Sequence, residues 1–221
     1  MRIETSLIER EEMDKAVNLA LLTNEHMMVA GPPGTGKSMH ADRVFAHFPR
    51  AKKFKAQLSK FSTEEILFGP LDVAELRKGN FVYNYENTIL DAHFAFIDEI
   101  FDASDVLLRS LLGVLNEREF SKGGFHKTCP LRTAIATANY SRSNEKTEAI
   151  VDRFLFQVNV KPLSKDNKFK LLDFNQEFKA LDSYTLKQLD VTQRKVKQVI
   201  MPSNVARLLI ELGEKLGFTD R

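Results

Sequence analysis

Gly31-Pro32-Pro33-Gly34-Thr35-Gly36-Lys37-Ser38 decides the fold of this chain, because it fits the phosphate-cradling pattern G-x-x-x-x-G-K-[ST]. A nucleoside triphosphate carries several negative charges that must be held out of bulk water. A tight loop running into a helix start supplies converging N–H groups and the positive end of the helix dipole. Pro32 and Pro33 have no N–H, so the donors fall to Gly34, Thr35, Gly36, Lys37 and Ser38. The glycines let the backbone close on the phosphates. Lys37, expected in a solvated loop, reaches the β and γ oxygens, and the Ser38 hydroxyl ligates Mg²⁺. Gly31, Pro33 and Met39 are counted with them as contacts of the nucleotide. A Gly/Pro turn could match by accident, but only in roughly one chain in a hundred of this length. The flanks argue the same way: His26 to Ala30 reads as a short buried strand and Ser38 to Phe45 as a helix.

Outward from the loop, strands and helices alternate, the signature of a mostly parallel sheet with helices on both faces. A helix from about Glu9 to Leu22 carries Met13, Ala16, Val17, Ala20 and Leu21 at helical spacing. Further strands are expected at Lys53–Leu58, Phe94–Ile97, Leu131–Ala138 and Phe154–Val160, which makes five in all. Ser104 to Leu115 is helical, with Leu107, Leu108, Leu111, Leu112 and Leu115 on one face. Beyond Lys161 the pattern is helical only. Its last helix carries Val205, Leu208, Leu209, Leu212 and Leu216 on one stripe, with Ser203 as its cap. Residues 1–160 therefore read as a nucleotide-binding core and 161–221 as a smaller helical segment.

Three more features carry chemistry. Asp98-Glu99 ends the apolar run Phe94–Ile97, at the carboxyl edge where open α/β sheets bind ligands. Asp98 can orient the Mg²⁺ shell while Glu99 polarises an attacking water. Asn139 follows the strand Thr133–Ala138, where a neutral amide can touch the γ-phosphate or hold that water; plain turn chemistry is the alternative. Arg153 lies just before the last strand, either to stabilise a neighbour's transferring phosphoryl group or to pair with Asp152 or Glu148.

Composition narrows the class. The 221 residues carry 32 Lys+Arg against 30 Asp+Glu, a net charge of +2, so no bulk field demands nucleic acid or membrane. Cys129 is the single cysteine, which excludes an internal disulfide and fits the reducing cytoplasm. No signal peptide or membrane-spanning apolar run is apparent. His26, His40, His47, His93 and His126 lack metal-ligand spacing, so zinc is not supported.

With these motifs in order, the chain resembles the AAA+ ATPases, specifically the MoxR family and most closely its RavA-like branch. The resemblance rests on the loop and Asp98-Glu99, on Leu7-Ile8-Glu9-Arg10, Lys60-Phe61-Ser62-Thr63-Glu64-Glu65 and Phe68-Gly69-Pro70-Leu71. It continues in Phe96 to Ile100, Leu115 to Phe120, Ala138-Asn139 and Asp152-Arg153-Phe154. It implies a P-loop NTPase αβα sandwich of AAA+ type with a partial C-terminal helical lid. It also implies Mg²⁺-dependent ATP hydrolysis within a ring, expected to be a hexamer, and chaperone-like remodelling of a protein partner. A von Willebrand A-type partner belongs to the same expectation. By this resemblance Asn139 is the sensor-1 residue and Arg153 an arginine finger acting in trans. Leu7 and Ile8 line the adenine pocket. The family's second-sensor arginine matches Thr219-Asp220-Arg221, which assigns that role to Arg221 in a lid that looks truncated.

Two inserted elements, Asp72–Leu90 and the hairpin Arg118–Pro130, face the ring centre in that family. Phe81 to Tyr85 alternates like a strand, and Lys122-Gly123-Gly124-Phe125 is a good hairpin tip. Its lysine and aromatic could grip a polypeptide or touch a phosphate backbone. Three other classes stay open: a nucleic-acid motor or loader using Arg77, Lys78, Lys122 or Lys127, an ATP-gated binding module with little turnover, and a small-molecule kinase, for which the sequence shows no acceptor-pocket signature.

Overall fold

The computed structural model describes residues 1–139, 150–171, 178–180 and 182–216. In chain order the first elements are α1 (Glu11–Thr23), β1 (Met27–Ala30), α2 (Lys37–Ala46), β2 (Lys53–Gln57), α3 (Glu64–Phe68), α4 (Val73–Leu76) and β3 (Phe94–Asp98). After a 3₁₀ turn at Ile100–Asp102 come α5 (Asp105–Glu117), β4 (Glu119–Lys122), β5 (Phe125–Thr128), β6 (Thr133–Ala138) and β7 (Phe156–Asn159). The described remainder is helical: α6 (Lys165–Lys170), α7 (Leu186–Val196) and α8 (Ser203–Leu216).

Five strands pair in the order β2-β3-β6-β1-β7, every pairing parallel. The three central strands are the continuous apolar runs of the sequence, because both their faces are covered. The two edge strands alternate instead between covered and open positions. Side-chain alternation divides the core in two. Phe94, Phe96, Met27, Val29 and Ile135 meet Val17, Leu21, Val44 and Phe45 of α1 and α2. Ala95, Ile97, Ala134 and Ala136 meet Leu107, Leu111 and Leu115 of α5 on the other face. The αβα sandwich with a five-stranded parallel sheet is therefore present.

Local chemistry sets the ends. The Ser104 hydroxyl accepts from Leu107 N at 3.3 Å and caps α5, which stops where Arg118 turns left-handed. Asn24 closes α1 the same way.

Three expectations need correction. The first helix starts at Glu11, because Glu9 sits at φ +55° and Arg10 is the cap. Phe81–Tyr85 is not a strand: it meets Leu71 through one antiparallel bridge at Tyr83, its aromatics being spent on packing. Ser203 is the first residue of α8 rather than its cap, since Val205 N and Ala206 N both close on Pro202 O. The α8 stripe itself is open: Val205, Leu208, Leu209 and Leu212 are all at least 40% accessible. By contrast α7 packs on α1, with Leu189 fully buried and Gln193 donating to Leu21 O at 2.7 Å.

Candidate nucleotide-binding site

The loop Gly31–Ser38 leaves the carboxyl end of β1 and runs into α2. Gly31 N donates to Ala138 O at 3.1 Å, and Val160 N donates to Ala30 O at 2.7 Å, so the loop starts wedged between two strand ends. A Cβ on Gly31 would collide with the Val160 carbonyl. Gly34 and Gly36 have φ of +74° and +82°, which an L side chain rarely adopts. Nothing lies within 4 Å of where their Cβ atoms would be, so open space faces the loop. Thr35 is buried, and its hydroxyl donates to Pro32 O at 2.8 Å. Ser38 and Met39 are exposed on the first turn of α2, whose N-terminus has no side-chain cap.

Lys37 is not in a solvated loop. It is the first residue of α2, 7% exposed, and its Nζ donates to Gly31 O (2.7 Å), Pro32 O (3.1 Å) and Asn139 Oδ1 (3.0 Å). Burial lowers its pKa while Glu99 and Asp98 pull the other way.

The acidic pair stands opposite. Asp98 ends β3, and Glu99 adopts a left-handed conformation, φ +54°, that turns the chain into the 3₁₀ segment. The Asn139 amide donates to the Glu99 carboxylate and its oxygen accepts from Lys37, so one side chain bridges cation and base. Thr137, fully buried on β6, donates to Asp98 Oδ1 and accepts from Glu99 N at 3.4 Å. Burial raises the Glu99 carboxyl, reinforced by Asp98 and Asp102. A proton acceptor, a cation and a second carboxylate thus converge at one sheet end. With the open loop and the uncapped helix, this donor set fits a magnesium–nucleotide.

The sequence reading passed over two residues here. Thr137 is one of two threonines in a short buried strand and gives no pattern. Arg10 belongs to the stretch Leu7-Ile8-Glu9-Arg10, but a charge at a helix start reads as surface. It is in fact 6% exposed, and its Nε donates to Thr35 O at 2.9 Å. That bond ties the segment after Leu7 and Ile8 to the loop; both are half-buried and lie between left-handed Ser6 and Glu9.

Arg153 lies elsewhere. It precedes β7, and Phe156 N donates to His26 O at the start of β1, so Arg153 sits past the amino end of the sheet. The four-residue rise of β1, about 13 Å, separates it from its own phosphate loop. Its Nε is buried without a partner, and the side chain joins no ion pair among the described residues. Arg221 and Glu148 lie outside the described residues.

The buried histidines are structural. His26 Nδ1 accepts from Ala134 N at 2.9 Å and its Nε2–H donates to Leu115 O at 2.8 Å; burial and the nearby Arg118 push its pKa down to about 3. No group of three or more His, Cys, Asp or Glu able to hold a metal occurs among the described residues. Nor is any helix among them long and apolar enough to cross a membrane.

A model of the MoxR domain found in MoxR–vWA–β-propeller ternary systems matches residues 1–200. The chain belongs to the MoxR family of AAA+ ATPases. An uncharacterized protein of Methanocaldococcus jannaschii is 32% identical over 213 residues, covering 96% of this chain and 55% of that relative. Chaperone MoxR1 of Mycobacterium tuberculosis is 24% identical over 212 residues, covering 93% of this chain and 51% of that one. This MoxR chain therefore spans little more than half the length of these relatives. A crystal structure from Cytophaga hutchinsonii, provisionally assigned as an ATPase, superposes with a TM-score of 0.73 at 18% identity. It covers 94% of this chain and 64% of that one, and it bears on the fold alone.

In this MoxR domain the two inserted elements are packed together. Gly123 and Gly124, both at positive φ, form the β4–β5 turn, and the hairpin lies down on the other insertion. Phe120 stacks on Phe68 at 4.5 Å, while Tyr83 lies 5.3 Å from both Phe120 and Phe125. Lys122 pairs with Glu64, and Lys127 lies over the Tyr85 ring at 4.5 Å. The hairpin's lysines and phenylalanine are therefore engaged internally rather than free to grip. The exposed aromatics of this rim are Phe81 and Phe61, the latter 92% accessible.

Proposed function

We propose that this chain binds ATP with Mg²⁺ and hydrolyses it, and that hydrolysis drives remodelling of a protein partner. One observation carries the reading: Lys37, Asn139, Glu99 and Asp98 converge beside an open glycine loop. Lys37 holds the β and γ oxygens, the backbone of Gly31–Ser38 cradles the phosphates with Pro33 and Met39 alongside, and Leu7 and Ile8 flank the adenine. Ser38 and Asp98 hold Mg²⁺, whose charge offsets that of the phosphates. Glu99 takes the proton of the attacking water, its basicity raised by burial. Asn139 orients that water and senses the γ-phosphate. Arg153 serves a neighbouring subunit, because it stands at the far end of the sheet from its own loop. The expected assembly is then a ring, with six subunits by family analogy. Arg221 is proposed as second sensor, residues 1–160 as core and 161–221 as the start of the lid.

The family model's association with von Willebrand A-type proteins supports such a partner, and a RavA-like affiliation and cytoplasmic setting complete the proposal. Nucleic acid is not favoured: Lys78, Lys122 and Lys127 are already engaged by Glu75, Glu64 and Tyr85. Phosphate release from ATP, with and without Mg²⁺ and with Glu99→Gln as comparator, tests the reading. Equal release from both proteins would overturn it.

A further inference from the structure

Arg10 is a buried guanidinium with no ion pair among the described residues, held by three backbone carbonyls. Its Nε reaches Thr35 O in the loop, its Nη1 Glu9 O (2.6 Å), and its Nη2 Lys161 O (3.1 Å) in the segment leaving the core. Its neighbour Glu9 reaches the same segment a few residues further on. The Glu9 carboxylate accepts from Ser164 N (3.1 Å), Ser164 Oγ (2.6 Å) and Asn167 Nδ2, so it fastens the start of α6. These bonds hold the Glu9 carboxyl well down, at about 2. The link between the two side chains is a non-glycine residue at φ +55°, a conformation that persists only where its surroundings enforce it.

The consequence for the loop follows from peptide planarity. The Thr35 C=O and the Gly36 N–H belong to one rigid plane and point in opposite directions. Fixing the carbonyl on Arg10 therefore aims the Gly36 N–H away from Arg10. Thr35 cannot swing its own side chain to compensate, because its hydroxyl is committed to Pro32 O.

We propose that Glu9 and Arg10 are a positioning pair. Arg10 sets the orientation of the phosphate loop, and Glu9 ties the helix after the core to the same anchor, so that nucleotide affinity and the seating of α6 are coupled. The affinity half rests on the nucleotide reading above; the mechanical half does not. Neither side chain touches the reacting atoms. Lysine cannot replace Arg10, since a single ammonium does not span carbonyls on two segments as a planar fork does.

Hydrogen–deuterium exchange on the nucleotide-free chain, followed by calorimetric titration with Mg·ADP and steady-state hydrolysis, tests both halves. Arg10→Lys should raise exchange at 34–38 and at 161–171 and weaken Mg·ADP at least tenfold. It should also raise KM while kcat at saturating ATP stays within about threefold, a split that general destabilisation would not produce. Glu9→Ala, a change at a solvent-facing carboxylate, should raise exchange at 164–171 without disturbing β1 or β6. It keeps the test decisive even if Arg10→Lys fails to fold. Unaltered exchange at 164–171 in Glu9→Ala, or at 34–38 in Arg10→Lys, would overturn the latch whether or not nucleotide binds. Raised exchange with unchanged Mg·ADP affinity would overturn the positioning role and leave the nucleotide reading intact. A parent chain that binds no Mg·ADP would refute that reading, with exchange alone then deciding the latch.

Discussion

Thr137→Val isolates the hydroxyl that holds the acidic pair. Threonine and valine have nearly the same shape, so a fully buried position on β6 loses no packing volume. What disappears is a donor to the Asp98 carboxylate and an acceptor for Glu99 N. Hydrogen bonds to charged groups contribute about 1.5–3 kcal/mol. Asp98 is only half-buried and can recruit water, which argues for the low end, about 1.5–2 kcal/mol. For a chain of this size that lowers Tm by roughly 3–8 °C. The chemical consequence should exceed the thermal one: a carboxylate free to rotate holds a cation poorly, so the Mg²⁺ concentration for half-maximal hydrolysis should rise several-fold. Thr137→Ser keeps the hydroxyl and should retain most of both properties. A double-mutant cycle with Asp98→Asn should show a coupling of at least ~0.5 kcal/mol in urea denaturation, since the pair is in direct contact. If Thr137→Val melts with the parent chain and keeps its Mg²⁺ requirement, or if Thr137→Ser is equally damaged, the hydroxyl is not what holds Asp98.

Lys37→Met should abolish measurable ATP binding by calorimetry, and it should also cost some stability, because the ammonium has three acceptors in a buried setting. Glu99→Gln should keep ATP binding while hydrolysis drops about 10²–10⁴-fold, the usual value of a positioned base. Because the Glu99 carboxyl is raised, hydrolysis should be lost as pH falls at a higher pH than an ordinary glutamate would give, and Asp98→Asn should move that limb down. The sign for stability is opposite: the fold disfavours the charged carboxylate, so Glu99→Gln should not destabilise the chain at pH 7 in a thermal melt. Arg153→Ala should leave ATP affinity intact but cost about 10³–10⁵ in turnover. Mixing it with Glu99→Gln subunits should restore some activity, whereas full activity of dilute Arg153→Ala would remove the shared site. Gly69→Ala should lower stability by at least ~2 kcal/mol, combining a left-handed φ of +85° with a collision against the Asn84 carbonyl, measurable as a shifted urea midpoint.

The parts of this molecule written as runs were legible. Phe94–Ile97 and Thr133–Ala138 are built of residues that can be buried on both faces because they are central strands, and the glycine loop matches because several of its positions tolerate little else. Residues that act singly left no pattern. Thr137 is a single small side chain between two alanines. Arg10 is buried against the ordinary habit of arginine, and only the three-dimensional meeting of residues 10, 35 and 161 explains it. Alternation misled at Phe81–Tyr85, since a period of two also suits a segment whose alternate aromatics fill one cluster. Phe125 looked like a grip residue for a related reason: exposure of a hairpin tip depends on what the hairpin lies against. The amphipathic stripe of α8 marks a face suited to burial, and periodicity alone does not say that a covering element is present in this chain.

The position of β1 in the sheet sets an order of events during synthesis. The strand is complete by residue 30, yet its partners are β6 and β7, beginning at residues 133 and 156. At roughly 5–20 residues per second, its first partner follows about 5–20 s behind it on the ribosome. Through that interval Met27-Met28-Val29-Ala30 has no strand to pair with, and the glycine loop after it lacks both the Ala138 carbonyl that holds Gly31 and the Val160 amide that holds Ala30. Long-range parallel pairing of this kind is slow and leaves apolar segments open to other contacts. The loop that appears first in the sequence is therefore among the last pieces to take shape, and nucleotide cannot act as an early folding template for this chain.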